Sequence, residues 1–274
     1  MASDVVANHW MKKDGIVAKV GLWIGEAYLP LLTGVFFFAL WEALIHLLEV
    51  PRYILPAPSA VLLEFAQHFR LIWYHTLVTA NETFVGYAIA IVLGIPLSIF
   101  VAFSETLQRT FYAAAVTLGM VPTIAFAPLF VVWFGFSFAS KMLVVFWVCF
   151  FPILINGIFG FLSLSDELRQ FSLSTGADRV TTFWKIRLPA ALPQVFVGLK
   201  GAAINATVGA TIAEWIGGNA GLGYYIQVAT GDFNMRLALA AIIMLTALGL
   251  LLYFLVILAE MKLIPWHESQ RESR

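Results

Sequence analysis

Residues 83–104 read TFVGYAIAIVLGIPLSIFVAFS, 22 positions without a charge between Glu82 and Glu105. Membrane hydrocarbon is about 30 Å thick and a helix rises about 1.5 Å per residue, so roughly 20 mostly apolar residues cross it. Working outward, the same rule finds Leu29 to Leu48, interrupted by Glu42. Between Arg109 and Lys141 lie 31 uncharged residues, enough for a span plus re-entrant or turn structure. Pro122 and Pro128 should kink that span, because each removes a backbone donor. Lys141 to Asp166, Leu192 to Ile216 (with Lys200 and Glu214) and Arg236 to Glu260 complete the set. The reading is an all-α polytopic membrane protein of about six transmembrane helices.

Composition agrees. The 274 residues are 61 % hydrophobic and 12 % charged, against about 25 % charged in soluble domains. The apolar surplus must face a lipid bilayer. A net charge of +0 offers nothing to nucleic acid, and none is expected as a partner. The single cysteine, Cys149, excludes an internal disulfide and reads as a small buried hydrophobe. The stretch through Lys19 is mixed polar and lacks the apolar core of a secretory signal, so the spans themselves are expected to direct insertion.

Orientation follows the distribution of Lys and Arg. With both termini cytoplasmic, Lys12, Lys13, Lys19, Arg109, Arg169, Arg179, Lys185, Arg187, Lys262, Arg271 and Arg274 lie inside, and only Arg52, Arg70, Lys141 and Arg236 outside. The division is then residues 1–28 as a cytoplasmic segment, 29–260 as the transmembrane domain and 261–274 as a cytoplasmic tail. The outer connection, Glu49 to Glu82, opens with Leu55-Pro56-Ala57-Pro58-Ser59, a rigid turn whose serine could cap a helix. Val61, Leu62, Phe65 and Phe69 then form an apolar stripe opposite Glu64, His68 and Arg70. That pattern reads as a helix along the membrane surface, for packing or for docking.

The inner connection, residues 164–189, carries the function. Leu164, Leu168 and Phe171 share one face of a short amphipathic piece; Val180, Phe183 and Trp184 form a stripe on a second. Gly176 between them suits a left-handed helix-ending position, and Asp178 follows as an N-cap. Leu188-Pro189 ends the unit. Exposed Phe and Trp on a basic knob mark a protein partner.

Gly176, nine intervening residues, then Ile186-Arg187-Leu188-Pro189 resembles the loop signature of binding-protein-dependent ABC importer permeases, E-A-A, three residues, G, nine residues, I-x-L-P. Ala190-Ala191-Leu192-Pro193 resembles its continuation, whereas Gln170-Phe171-Ser172 stands in place of E-A-A. Leu55-Pro56-Ala57-Pro58-Ser59, the run from Val121-Pro122 through Ala127-Pro128-Leu129 to Trp133-Phe134-Gly135, and Gly221-Leu222-Gly223 are similar to the nitrate, sulfonate, taurine and bicarbonate group. That group also includes permeases for thiamine-precursor pyrimidines. The resemblance implies a type I importer permease-like fold in the cell inner membrane. It also implies that the loop, with Ala177 beside Gly176, seats on a separate cytoplasmic ABC ATPase that binds ATP and Mg. A second permease copy, as a homodimer, would complete the path, and an external solute-binding protein would deliver a small oxyanion, a sulfonate such as taurine, or a small heterocycle. No G-x-x-x-x-G-K-[ST] occurs in the chain, so no cofactor is expected on it and it is not read as an enzyme.

Four residues are candidates for the path, since ionisable and amide groups in a span are costly and often functional. Glu42 and His46, four apart, share a face. Asn205 lies on span five, where Ala202, Ala206, Ala210, Gly209 and Ala213 permit close helix approach and Lys200 is free to snorkel. Glu214 either lines the path or anchors the outer loop. Gly217, Gly218, Gly221 and Gly223 predict a tight outer turn. The alternatives are an ion-coupled secondary transporter, which would lack a purpose for the knob, and an intramembrane serine protease built on Gly135-Phe136-Ser137. The protease would need a general base, and the only histidine after Ser137 is His267 in the tail.

Overall fold

The computed structural model describes residues 32–163, 170, 174, 176 and 178–266. Among the described residues, the α-helical segments with assigned bounds follow in order. They are α1 (Leu32–Leu47), α2 (Pro58–Gln67), α3 (Phe69–Ala102), α4 (Glu105–Gly119), α5 (Thr123–Phe134), α6 (Phe138–Leu162), α7 (Arg179–Thr182), α8 (Leu188–Gly217), α9 (Leu222–Gly231) and α10 (Met235–Leu263). A π-helical turn, Phe183–Arg187, joins α7 to α8. No strand occurs among the described residues.

Among the described residues, four helical stretches are long and apolar enough to cross a membrane: α3, α6, the rod Val180–Gly217, and α10. α4 and α5 meet at 91° and together pass the same test; the break falls just before Pro122, while Pro128 stays inside α5. α1 has 16 described residues, about 24 Å at 1.5 Å per residue.

α6 is the central helix and packs chiefly against α8 and α3. Glycine allows the approach. A Cβ on Gly198 would lie 2.7 Å from Asn156 Cβ and 2.9 Å from the Pro152 carbonyl. The small stripe of α8 works the same way, with Ala202, Ala206 and Ala210 fully enclosed. Tyr87 on α3 donates its hydroxyl to the Leu199 carbonyl at 2.9 Å, and Cys149 is buried with its thiol toward Ala202 O at 3.4 Å. Leu250, Leu251 and Phe254 on α10 remain exposed, an apolar face suited to lipid.

Three expectations are corrected. Glu82 does not bound a span: α3 begins at Phe69 and carries Glu82 well inside it, because the carboxylate is paired rather than driven to water. The outer stripe does not form as drawn. Phe69 belongs to α3, Val61 and Glu64 are buried, and Leu62 and Leu63 are exposed. Val61 packs with Leu222, Tyr225 and Ala241, and Arg236 Nη1 approaches Glu64 at 3.9 Å. Leu188-Pro189 does not end the loop. A helical proline removes one backbone donor and crowds the carbonyl four residues back. The π turn widens the helix there, and the rod continues unbroken into α8.

Candidate translocation path and coupling loop

On the inner connection, Leu168, Phe171, Ser172 and Ala177 lie outside the described residues. Gln170 is helical and exposed. Gly176 has φ +62°, the left-handed conformation predicted for the turn. Asp178 accepts from the Thr181 hydroxyl and the backbone N–H groups of Val180 and Thr181, which holds its carboxyl below the usual range. It is the N-cap of α7. Val180 and Trp184, one turn apart, are 64 % and 62 % exposed. Phe183 leaves the predicted stripe: its ring packs 5.4 Å from Phe103 and 6.0 Å from Phe161. It pins the knob to the C-terminal ends of α3 and α6, and two exposed apolar side chains project from that mount. Ile186, Leu188 and Pro189 are half-buried where the rod enters the bundle.

The same rod carries Asn205, which is exposed on the bundle side. Its Nδ2 donates to the Gly201 carbonyl at 3.1 Å. Asn205 lines a cavity of about 230 Å³ with Gly119 and Thr123 at the α4–α5 break and with Trp147, Val148, Phe151 and Pro152 of α6. A larger groove of about 740 Å³ runs beside it along α8, past Thr207, Thr211 and Trp215, to Leu250 and Tyr253 of α10. Non-helical backbone at membrane depth is tolerated where it lines a cavity, and the α4–α5 break meets that condition.

Glu214 lies near the C-terminal end of the rod with no exposure. Oε1 accepts from the Thr79 hydroxyl at 2.6 Å and Oε2 from Gly223 N–H at 2.5 Å. Thr79 in turn accepts from Leu222 N–H at 2.7 Å, and His75 Nδ1 accepts from Gly221 N–H at 3.0 Å. Three successive orphan donors at the start of α9 are thus satisfied by α3 and α8. Gly221 has φ +112°, and a Cβ there would collide with the Glu214 carboxyl. The predicted glycine turn is this latch. Beside it, Lys141 Nζ donates to Glu82 Oε1 at 2.7 Å, and Glu82 Oε2 has no partner among the described residues.

Glu42 and His46 meet each other at 3.1 Å. The Glu42 carboxylate also accepts from Ser59 N–H at 3.0 Å and the Ser59 hydroxyl at 2.6 Å. Ser59 therefore does not cap α2; Ala57 holds that position and Glu42 reaches across to the helix N-terminus, where negative charge is favoured. Lys200 pairs with Glu260 of α10, both oxygens at 3.0 Å. Sequence reasoning missed the Glu82–Lys141 pair by treating both as boundaries. A signal was available: His75, Thr79, Glu82, Gly86, Ala90, Gly94 and Ser98 recur every three or four residues, a buried face of polar and then small residues.

Comparison with known proteins follows this geometry. Residues 94–264, 171 of 274, match the family of binding-protein-dependent transport system inner membrane components. The chain is 32 % identical over 246 residues to the formylaminopyrimidine transport permease protein ThiX of Halalkalibacterium halodurans, covering 89 % of this chain and 98 % of that one. It is 32 % identical over 231 residues to the riboflavin transport system permease protein RibX of Chloroflexus aurantiacus, covering 84 % and 86 %. The taurine transport system permease protein TauC of Escherichia coli is 29 % identical over 199 residues, covering 72 % and 71 %. Two crystal forms of the inward-facing MetNI methionine ABC transporter share the fold at TM-scores of 0.58 and 0.61. Each is 20 % identical and covers 69 % of this chain and 94 % of the matched one. The family implies an ATPase and a solute-binding protein as partners, and its members are transport components rather than enzymes. This chain belongs to the binding-protein-dependent inner membrane components and is a multi-pass permease of an ABC importer.

Proposed function

We propose that this permease couples ATP hydrolysis on a separate subunit to solute movement through the knob at 164–189, with both termini cytoplasmic and a second copy of the chain closing the path. The observation that carries the reading is mechanical. Val180 and Trp184 are exposed, Phe183 clamps their mount, and one unbroken rod joins them to Asn205 and on to Glu214. A push on the knob reaches the cavity without a hinge to absorb it. Burying an exposed Trp in a partner's groove is the usual source of interface energy. ATP and Mg stay on the ATPase, and a solute-binding protein delivers cargo from outside. The cargo is a small oxyanion, a sulfonate or a small heterocycle, the classes named for the relatives.

The test is to replace Val180 and Trp184 together by Asp, and separately Gly176 by Val, in the assembled importer. The reading expects a protein that inserts normally while hydrolysis no longer drives uptake. Full coupling in both variants would remove the knob from the mechanism.

A further inference from the structure

The cavity around Asn205 differs in chemistry from the apolar groove beside it. Its wall holds three polar side-chain functions with unspent hydrogen-bonding capacity. Among the described residues nothing donates to Asn205 Oδ1, and neither the Trp147 indole N–H nor the Thr123 hydroxyl has a partner. Pro152, also in the wall, leaves the Val148 carbonyl without its intrahelical donor. Donors and acceptors are therefore both offered within one small space. The cavity volume is about 230 Å³. That is room for a substituted ring, and more than nitrate or a bare sulfonate would fill.

Among the described residues no charged side chain lines the cavity. The nearby cations are committed elsewhere: Lys141 to Glu82 and Lys200 to Glu260. An anion placed here would lose its water without gaining a counter-ion. A neutral solute avoids that penalty and needs only the hydrogen bonds on offer. Trp147 and Phe151 meet edge to face, at 75° with centroids 5.0 Å apart, so they form an apolar corner in which a planar ring can lie against one face and meet the edge of the other.

We infer that this cavity is a solute subsite for a neutral, planar nitrogen heterocycle bearing both a donor and an acceptor, read by Asn205, Thr123 and Trp147. The inference rests on the chain being the path of an importer and narrows the cargo to one class.

The test uses the full chain in nanodiscs, with 4-aminopyrimidine as probe and nitrate and methanesulfonate as anionic comparators. Saturable binding of 4-aminopyrimidine is expected, weakened tenfold or more by Asn205→Leu and by Trp147→Phe, with the melting temperature of each variant checked as a folding control. Neither anion should compete. Binding that survives both substitutions, competition by either anion, or no saturable binding of the heterocycle overturns the subsite. Nucleotide-driven uptake by the assembled importer is measured alongside. If uptake stands while the subsite results fail, only the subsite is lost; if uptake needs no ATPase, the underlying reading fails.

Discussion

Lys141 Nζ lies 2.7 Å from Glu82 Oε1, and their side chains are only 8 % and 1 % exposed. The pair fastens the start of α6 to the middle of α3, next to the latch that holds α9. Removing one member of such a pair strands a charge in a medium that cannot solvate it, whereas removing both leaves an apolar contact.

Lys141→Met should therefore cost about 3–5 kcal/mol of stability, and Glu82→Leu with Lys141→Met should sit closer to the parent than Lys141→Met alone. Thermal unfolding of the full mutant cycle in nanodiscs checks this, with the interaction energy read from the cycle.

The latch predicts a local effect. Gly221→Ala places a side chain at φ +112° and against the Glu214 carboxyl, a strain of about 1–3 kcal/mol. Thr79→Val removes the hydroxyl shared by Glu214 and Leu222, about 1–3 kcal/mol for the groups left unpaired. Either change should raise hydrogen exchange at Leu222 and Gly223 while the amides of α6 stay protected.

Glu42 tethers α1 to the first turn of α2. Glu42→Ala should speed exchange of the Ser59 amide, which loses its acceptor. Transport should continue, because the carboxylate spends its bonds on Ser59 and His46.

Asp178 gives a pH dependence. Hydrogen bonds from Thr181 lower its folded pKa below the ordinary 3.8. Its capping contribution is complete above that value and disappears as pH falls through the lower folded one. Exchange protection of Val180 and Thr181 should thus be flat from pH 8 to pH 5, after correction for intrinsic rates, and fall only in strong acid. In Asp178→Asn the protection should show no such acid step.

The spans most legible in the sequence were those that form long apolar runs. α6, α8 and α10 follow the apolar runs to within a few residues, although α8 carries Lys200 and Glu214 inside it. α3 was misread at its start because Glu82 is neutralised by a residue 59 positions away, and a linear pattern carries no record of that partner. The same limit hid Glu42 behind Ser59, where the obvious local cap is displaced by one from 17 positions upstream. Gly176 and Asp178 were legible because turns and caps are local. Phe183 was not, since helical spacing gives its face but not the rings of Phe103 and Phe161 waiting there. The cavity needed four separate helices, and only Asn205 hinted at it.

The central claim is that hydrolysis on another subunit works this path through the knob. Its most direct measurement is solute uptake into proteoliposomes holding this chain, with and without its ATPase and ATP. Uptake that requires both and is abolished by the Val180 and Trp184 substitutions is the predicted result. Uptake by this chain alone, driven by an ion gradient, would contradict it.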